Sequence, residues 1–121
     1  MKNLISYMLA AAFISLAAPV VHSEGVKGVE VIPLFSSDKA TGSMVTIQPG
    51  AVMPSVARPG ARAGYVVRGG LLERKYEDGK TRSVSLKTGQ TLYLDKPEDQ
   101  AAYSITNKGS NAVKVYIVNI K

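Results

Sequence analysis

Leu71-Leu72-Glu73-Arg74-Lys75-Tyr76, then Glu77-Asp78-Gly79-Lys80, then Thr81-Arg82-Ser83-Val84-Ser85-Leu86 is the stretch on which the fold assignment turns. Two short strand-like runs flank an Asp-Gly pair, and both positions of that pair tolerate positive φ, a strong hairpin signal. The pattern predicts that 81–86 returns antiparallel to 71–76. The same alternation of short runs and turn residues continues in both directions. Downstream, Thr88-Gly89 turns into a strand over Gln90 to Leu94 that ends at Asp95-Lys96-Pro97. Tyr103 to Asn107 and Val113 to Ile120 follow, joined across Lys108-Gly109-Ser110-Asn111 as a second hairpin. Upstream, Tyr65 to Arg68 precedes Gly69-Gly70. Val29 to Phe35 is a strand that Pro33 pushes toward a sheet edge, Ser36 to Thr41 is a polar loop, and Ser43 to Gln48 is a strand stopped by Pro49-Gly50. Pro54 to Gly64 is a loop or a strand crossing a barrel mouth. No stretch sustains a helical period, and about eight short strands at regular spacing predict an all-β barrel or two-sheet jelly roll.

The first 23 residues stand apart. Lys2 opens them, Leu4 to Val21 is an almost unbroken apolar run, and Val21-His22-Ser23 puts small or apolar residues three and one positions before a cut after Ser23. This is the layout of a secretory signal peptide over 1–23, followed by one domain over 24–121 that has no membrane span and works in the periplasm or outside the cell. An uncleaved anchor is the alternative, since the apolar run approaches the roughly 18 residues that cross a bilayer. Ser6, Tyr7 and Ser15 dilute it.

The residues missing from 24–121 narrow the chemistry. The only histidine is His22, inside the leader, and the chain has no cysteine and no tryptophan. Ser-His and Cys-His nucleophiles, thiolate or imidazole metal sites and disulfides are therefore excluded in the mature chain. Proton transfer could fall only to carboxylates, lysine or tyrosine. Without Lys2, the 15 Lys and Arg become 14 against 9 Asp and Glu, a net charge of +5. That surplus is dispersed and has no interleaved aromatics, which argues against a nucleic-acid partner and suits either a solvated surface or anionic ligands.

The segment from Gly50 to Gly69 resembles the first signature of the cupin family: a glycine, five residues, a His-X-His pair, an acidic residue three or four further on, and a closing glycine. The frame fits without a gap, with Gly50 and Gly69 at its ends, Pro49 and Pro54 as companions, and Val56, Arg58 and Arg62 at the three metal-ligand positions. Gly89, Pro97 and Asn107-Lys108-Gly109 look similar to the second signature. Its remaining ligand falls on Tyr103, or on Gln100 when counted from Gly89. The resemblance implies a single double-stranded β-helix barrel, often dimeric, through edge strands such as Val29 to Phe35, with its site in the wider mouth. The resemblance would also imply a metal, but with Val56, Arg58 and Arg62 at its ligand positions this sequence withholds it, so no cofactor is expected.

If the frame is right, Arg58 and Arg62 point near the barrel interior with Tyr103 or Gln100 facing them. Two guanidinium forks there would bind a carboxylate, sulfate or phosphate. Val56, Arg58, Arg62, Gln100 and Tyr103 are thus the candidate ligand-binding residues for a small anionic molecule. Alternatively, both arginines lie in a solvated loop or pair with Glu73, Asp95, Glu98 or Asp99. Other features take plainer readings: the tyrosines Tyr65, Tyr76, Tyr93, Tyr103 and Tyr116 as strand packing, Met44 and Met53 as packing rather than copper ligands, and Glu98-Asp99 as a solvated loop. Three functions stay open: a metal-free anion-binding domain, a metal-independent isomerase, epimerase or lyase with Tyr103 as the candidate acid or base, and a structural or partner-binding module.

Overall fold

The computed structural model describes residues 26–121 and the backbone of Val21–His22. The rest of the leader predicted over 1–23 lies outside the described residues. The strands are β1 (Val21–His22), β2 (Val29–Ser36), β3 (Ala40–Ile47), β4 (Val52–Val56), β5 (Arg62–Arg68), β6 (Gly70–Tyr76), β7 (Thr81–Leu86), β8 (Thr91–Leu94), β9 (Tyr103–Asn107) and β10 (Val113–Ile120), with one short helix, α1 (Pro97–Gln100). They form a four-stranded sheet ordered β4-β9-β6-β7 and a six-stranded sheet ordered β1-β2-β3-β10-β5-β8, antiparallel throughout. Among the described residues no helix is long and apolar enough to cross a membrane.

The Asp-Gly hairpin forms as predicted. Gly70 faces Leu86 at one end of the β6/β7 ladder and Lys75 faces Thr81 at the other. The turn closes when the Gly79 N–H donates to the Tyr76 carbonyl at 3.0 Å. Gly79 then takes a φ of 89°, a conformation that a side chain would oppose.

Strand alternation builds the core from both sheets. Val29, Ile47, Val66, Val113 and Val115 come from the six-stranded sheet and meet Leu72 and Leu86 from the four-stranded one. On β10, Val113, Val115 and Ile117 face inward, while Lys114 and Tyr116 alternate with them. Pro33 sits on β2, which is flanked on its outer side only by the two residues of β1, and the β2/β3 register slips between Pro33 and Phe35.

Three expectations are corrected. Lys108 to Asn111 is not a hairpin: β9 pairs with β4 and β6, and β10 with β3 and β5, so this loop carries the chain from one sheet to the other. The cause is Asn107, 1% exposed. Its Nδ2 donates to Ile47 O at 2.8 Å and Asn111 O at 2.9 Å, and its Oδ1 accepts from Gly109 N at 2.9 Å, which fastens the end of β9 to the opposite sheet. Second, β3 starts at Ala40, inside the stretch read as a loop, because Ser37 closes a turn on Ala40 at once. Third, Glu98-Asp99 lies on α1 rather than in a solvated loop, and Asp99 is buried.

Asn107→Leu strips one buried and two part-buried backbone groups of their partner and is expected to lower the unfolding free energy by about 2–4 kcal/mol. Asn111→Ala keeps the accepting carbonyl and is expected to stay within about 0.5 kcal/mol of wild type. Urea unfolding followed by circular dichroism measures both, and an Asn107→Leu protein as stable as wild type contradicts this bracing role.

Candidate functional site

Between the sheets lies a cavity of about 300 Å3. Cross-strand register separates its walls into two ends. At one, Asn119 faces Arg62 and Ile117 faces Ser43, while on the other sheet Tyr103 faces Tyr76. At the other, Ile47 and Val115 meet Leu72 and Leu86, so the deep part is hydrocarbon. Asn119 is exposed to solvent yet lines the cavity, which makes the polar end the mouth.

Three arginines converge on Tyr103, itself 1% exposed. Arg58 lies in the β4–β5 connection with its Cζ 4.1 Å from the centre of the Tyr103 ring; its Nη1 donates to the carbonyls of Val56 and Tyr103, both at 2.7 Å. Arg74 projects from β6, its Cζ 4.4 Å from the same ring centre. Two such cation–π contacts contribute about 0.5–2 kcal/mol each. Arg62, the first residue of β5 and buried, takes the ring's hydroxyl: its Nη2 donates to Tyr103 Oη at 3.0 Å and to Asp99 O at 2.6 Å. Tyr76 packs its ring 5.4 Å from that of Tyr103 and shares the Glu98 carbonyl with Arg74.

One carboxylate enters this cluster. Asp99 Oδ1 accepts from Arg74 Nη1 at 3.0 Å, and its Oδ2 accepts from the Lys96 N–H at 3.2 Å. Burial pushes the Asp99 carboxyl up, but the hydrogen bonds from Arg74 and Lys96 and the charges of Arg74 and Arg62 outweigh it, leaving the group below the ordinary carboxylate range. Burial likewise pulls Arg58 below the usual arginine range; Tyr103 opposes this, and repulsion from Arg62 and Arg74 adds to it. Arg74 goes the other way: burial acts against its charge, but bonding to Tyr76 and Asp99 and the proximity of Tyr103 raise it. Three guanidiniums against one carboxylate leave two positive charges at the mouth. Two of their donors, Arg58 Nη2 and Arg62 Nε, are buried without a partner among the described residues.

The structure therefore brings Arg58, Arg62 and Tyr103 together on the cavity wall, and it leaves out two of the expected residues. Val56 is 52% exposed and contributes only its carbonyl, to Arg58. Gln100 braces loops: its Oε1 accepts from the Gly60 N–H at 3.2 Å and its Nε2 donates to Asp95 O at 2.9 Å. Arg74 was not anticipated, and Asp99, foreseen only as an alternative partner of Arg58 or Arg62, forms its ion pair with Arg74 instead. A signal for Arg74 existed, since strand alternation puts it on the face of Leu72, inside the predicted hairpin. For Asp99, the signals were Pro97 at the start of a turn and two acidic residues after it. Met53 lines the cavity, whereas Met44 alternates with the inward Ser43 and Val45, so the two sulfurs face opposite sides.

The two facing antiparallel sheets, with a pocket at one end, are the cupin-type barrel. The chain is similar in structure to a cupin domain from Bordetella pertussis Tohama I, with a TM-score of 0.68 and 12% identity over 78% of this chain and 94% of that one. It is also similar to the polyketide cyclase RemF from Streptomyces resistomycificus, at a TM-score of 0.62 and 14% identity over 86% and 74% of the two chains. A sugar phosphate isomerase of the cupin superfamily from Silicibacter pomeroyi matches at 0.54 and 14%, over 78% and 60%. No protein-family model and no curated protein matches the sequence. At these identities the likeness shows the fold.

The metal that the cupin resemblance implies does not fit these residues. At the ligand positions, Val56 has no donor atom and faces solvent, Arg58 and Arg62 are cations, and Tyr103 Oη is committed to Arg62 and Asp99 O. Among the described residues, no three of His, Cys, Asp and Glu cluster to hold a metal ion.

The low pKa of Asp99 fixes the sign of its pH dependence. A carboxyl depressed in the folded state adds stability that is complete above its unfolded value of about 3.9 and is lost as pH falls through the folded value. Asp99→Asn is therefore expected to be less stable than wild type at pH 7, with the gap closing as pH falls below about 4. Urea midpoints between pH 7 and pH 3 measure this, and a gap independent of pH contradicts the pairing.

Proposed function

We propose that this domain is an exported, metal-free binding module that takes a small anionic molecule at the mouth of the barrel. The observation that carries the reading is the pair of unpartnered buried donors, Arg58 Nη2 and Arg62 Nε, within a cluster that has two positive charges in excess. An unpartnered buried donor costs about 1–3 kcal/mol, and one on a charged group costs more. Both nitrogens are covered as placed, so an oxyanion at the mouth would recover that cost and offset the charge once the guanidiniums turn toward the cavity. Export rests on the leader-like 1–23.

A second reading is a metal-independent isomerase, epimerase or lyase. It is favoured by the Tyr103 hydroxyl on the same wall and by neighbours whose names are a cyclase and a sugar phosphate isomerase. It ranks lower because, among the described residues, no carboxylate, histidine or lysine lines the cavity to share proton transfer with that tyrosine. A structural module with a filled barrel ranks below both, given a cavity of about 300 Å3.

Calorimetric titration of the mature protein with acetate, sulfate and phosphate at low ionic strength tests the proposal. Saturable binding is expected, weakened about 10–100-fold by Arg62→Ala and by Arg58→Ala. Circular dichroism confirms that the variants are folded. Folded variants that bind as wild type does, or a wild type that binds none of the anions, overturn the proposal.

A further inference from the structure

The anion site occupies only one end of the cavity, and the rest of the wall has a different chemistry. Beyond the arginines the lining is Val45, Ile47, Met53, Leu72, Leu86 and Val115, contributed by both sheets. The volume, about 300 Å3, is about twice that of an engineered apolar cavity of about 150 Å3 that stays dry and binds benzene. An inorganic anion would answer the arginines and leave this hydrocarbon space without contacts.

The donors also limit the head group. Arg58 Nη2 and Arg62 Nε offer a few N–H groups to one or two oxygens, and Asp99 already neutralises part of the cluster. That suits the two oxygens and single charge of a carboxylate better than the three oxygens and double charge of a phosphate.

We infer that the ligand is an amphiphilic monocarboxylate, its head on Arg58 and Arg62 at the mouth and an aliphatic or aromatic body in the deep cavity. This inference rests on the anion-binding reading and adds the ligand's apolar body to it. Entry is head-last, because the mouth is the polar end and the deep end is closed by the packed core of Leu72, Leu86 and Val113.

Titration of the mature protein with acetate, butanoate, hexanoate and octanoate, with octan-1-ol and inorganic phosphate as controls, tests it. Affinity is expected to rise about fourfold per methylene until the cavity is full, the increment for burying one CH2. Val45→Phe narrows the deep cavity, so the rise is expected to stop at a shorter chain. Octanol and phosphate are each expected to bind at least tenfold more weakly than octanoate. Equal affinity for acetate and octanoate overturns the inference while leaving the anion site standing. Octanol binding as tightly as octanoate overturns the role of the arginines, phosphate binding without any acid overturns the inference alone, and no binding of any acid or of phosphate overturns both readings.

Discussion

Everything at the mouth of this barrel depends on Tyr103 as a platform for positive charge. Its ring lies beneath the Arg58 and Arg74 guanidiniums, and its hydroxyl accepts from Arg62. Three arginines so close together would repel one another in a place where burial already disfavours charge. The ring's electron-rich face, the Asp99 carboxylate and the carbonyls of Val56, Glu98, Asp99 and Tyr103 absorb most of that cost. They do not absorb all of it, since two donors stay unpartnered. That remainder is the feature on which the proposed anion site rests.

The fold supplies this arrangement by drawing the cluster from both sheets. Arg62 begins β5 of the six-stranded sheet, Arg74 and Tyr103 stand on β6 and β9 of the four-stranded one, and α1 brings Asp99 across the gap. Asn107 fastens the far end of β9 to Ile47 on the opposite sheet. Tyr103 and Asn107 thus hold the two ends of one strand, the first facing the charged mouth and the second closing the packed base. Their burial, 1% exposed in each case, reflects how little freedom either has.

Much of this was legible in the residues. Asp78-Gly79 gave away the hairpin, and the spacing of Gly50, Arg58, Arg62 and Gly69 put two arginines at the cavity. The second signature was ambiguous by three residues; of its two candidates, Tyr103 lines the cavity and Gln100 does not. What could not be read has physical causes. Lys108 to Asn111 has the composition of a hairpin turn, and only the side-chain bond of Asn107 to a strand 60 residues away makes it an inter-sheet crossing. The placement of Asp99 on a helix was hidden because four residues have no period to detect, and its partner Arg74 sits in a run that otherwise reads as an ordinary amphipathic strand.

The most direct test of the charged mouth is the nuclear magnetic resonance signal of the Arg62 Nε–H group during addition of sodium octanoate, against sodium chloride at equal ionic strength. The account predicts that octanoate shifts this signal and slows its exchange with water, while the exposed Arg82 signal stays in place. An Arg62 signal that responds equally to both salts would contradict it.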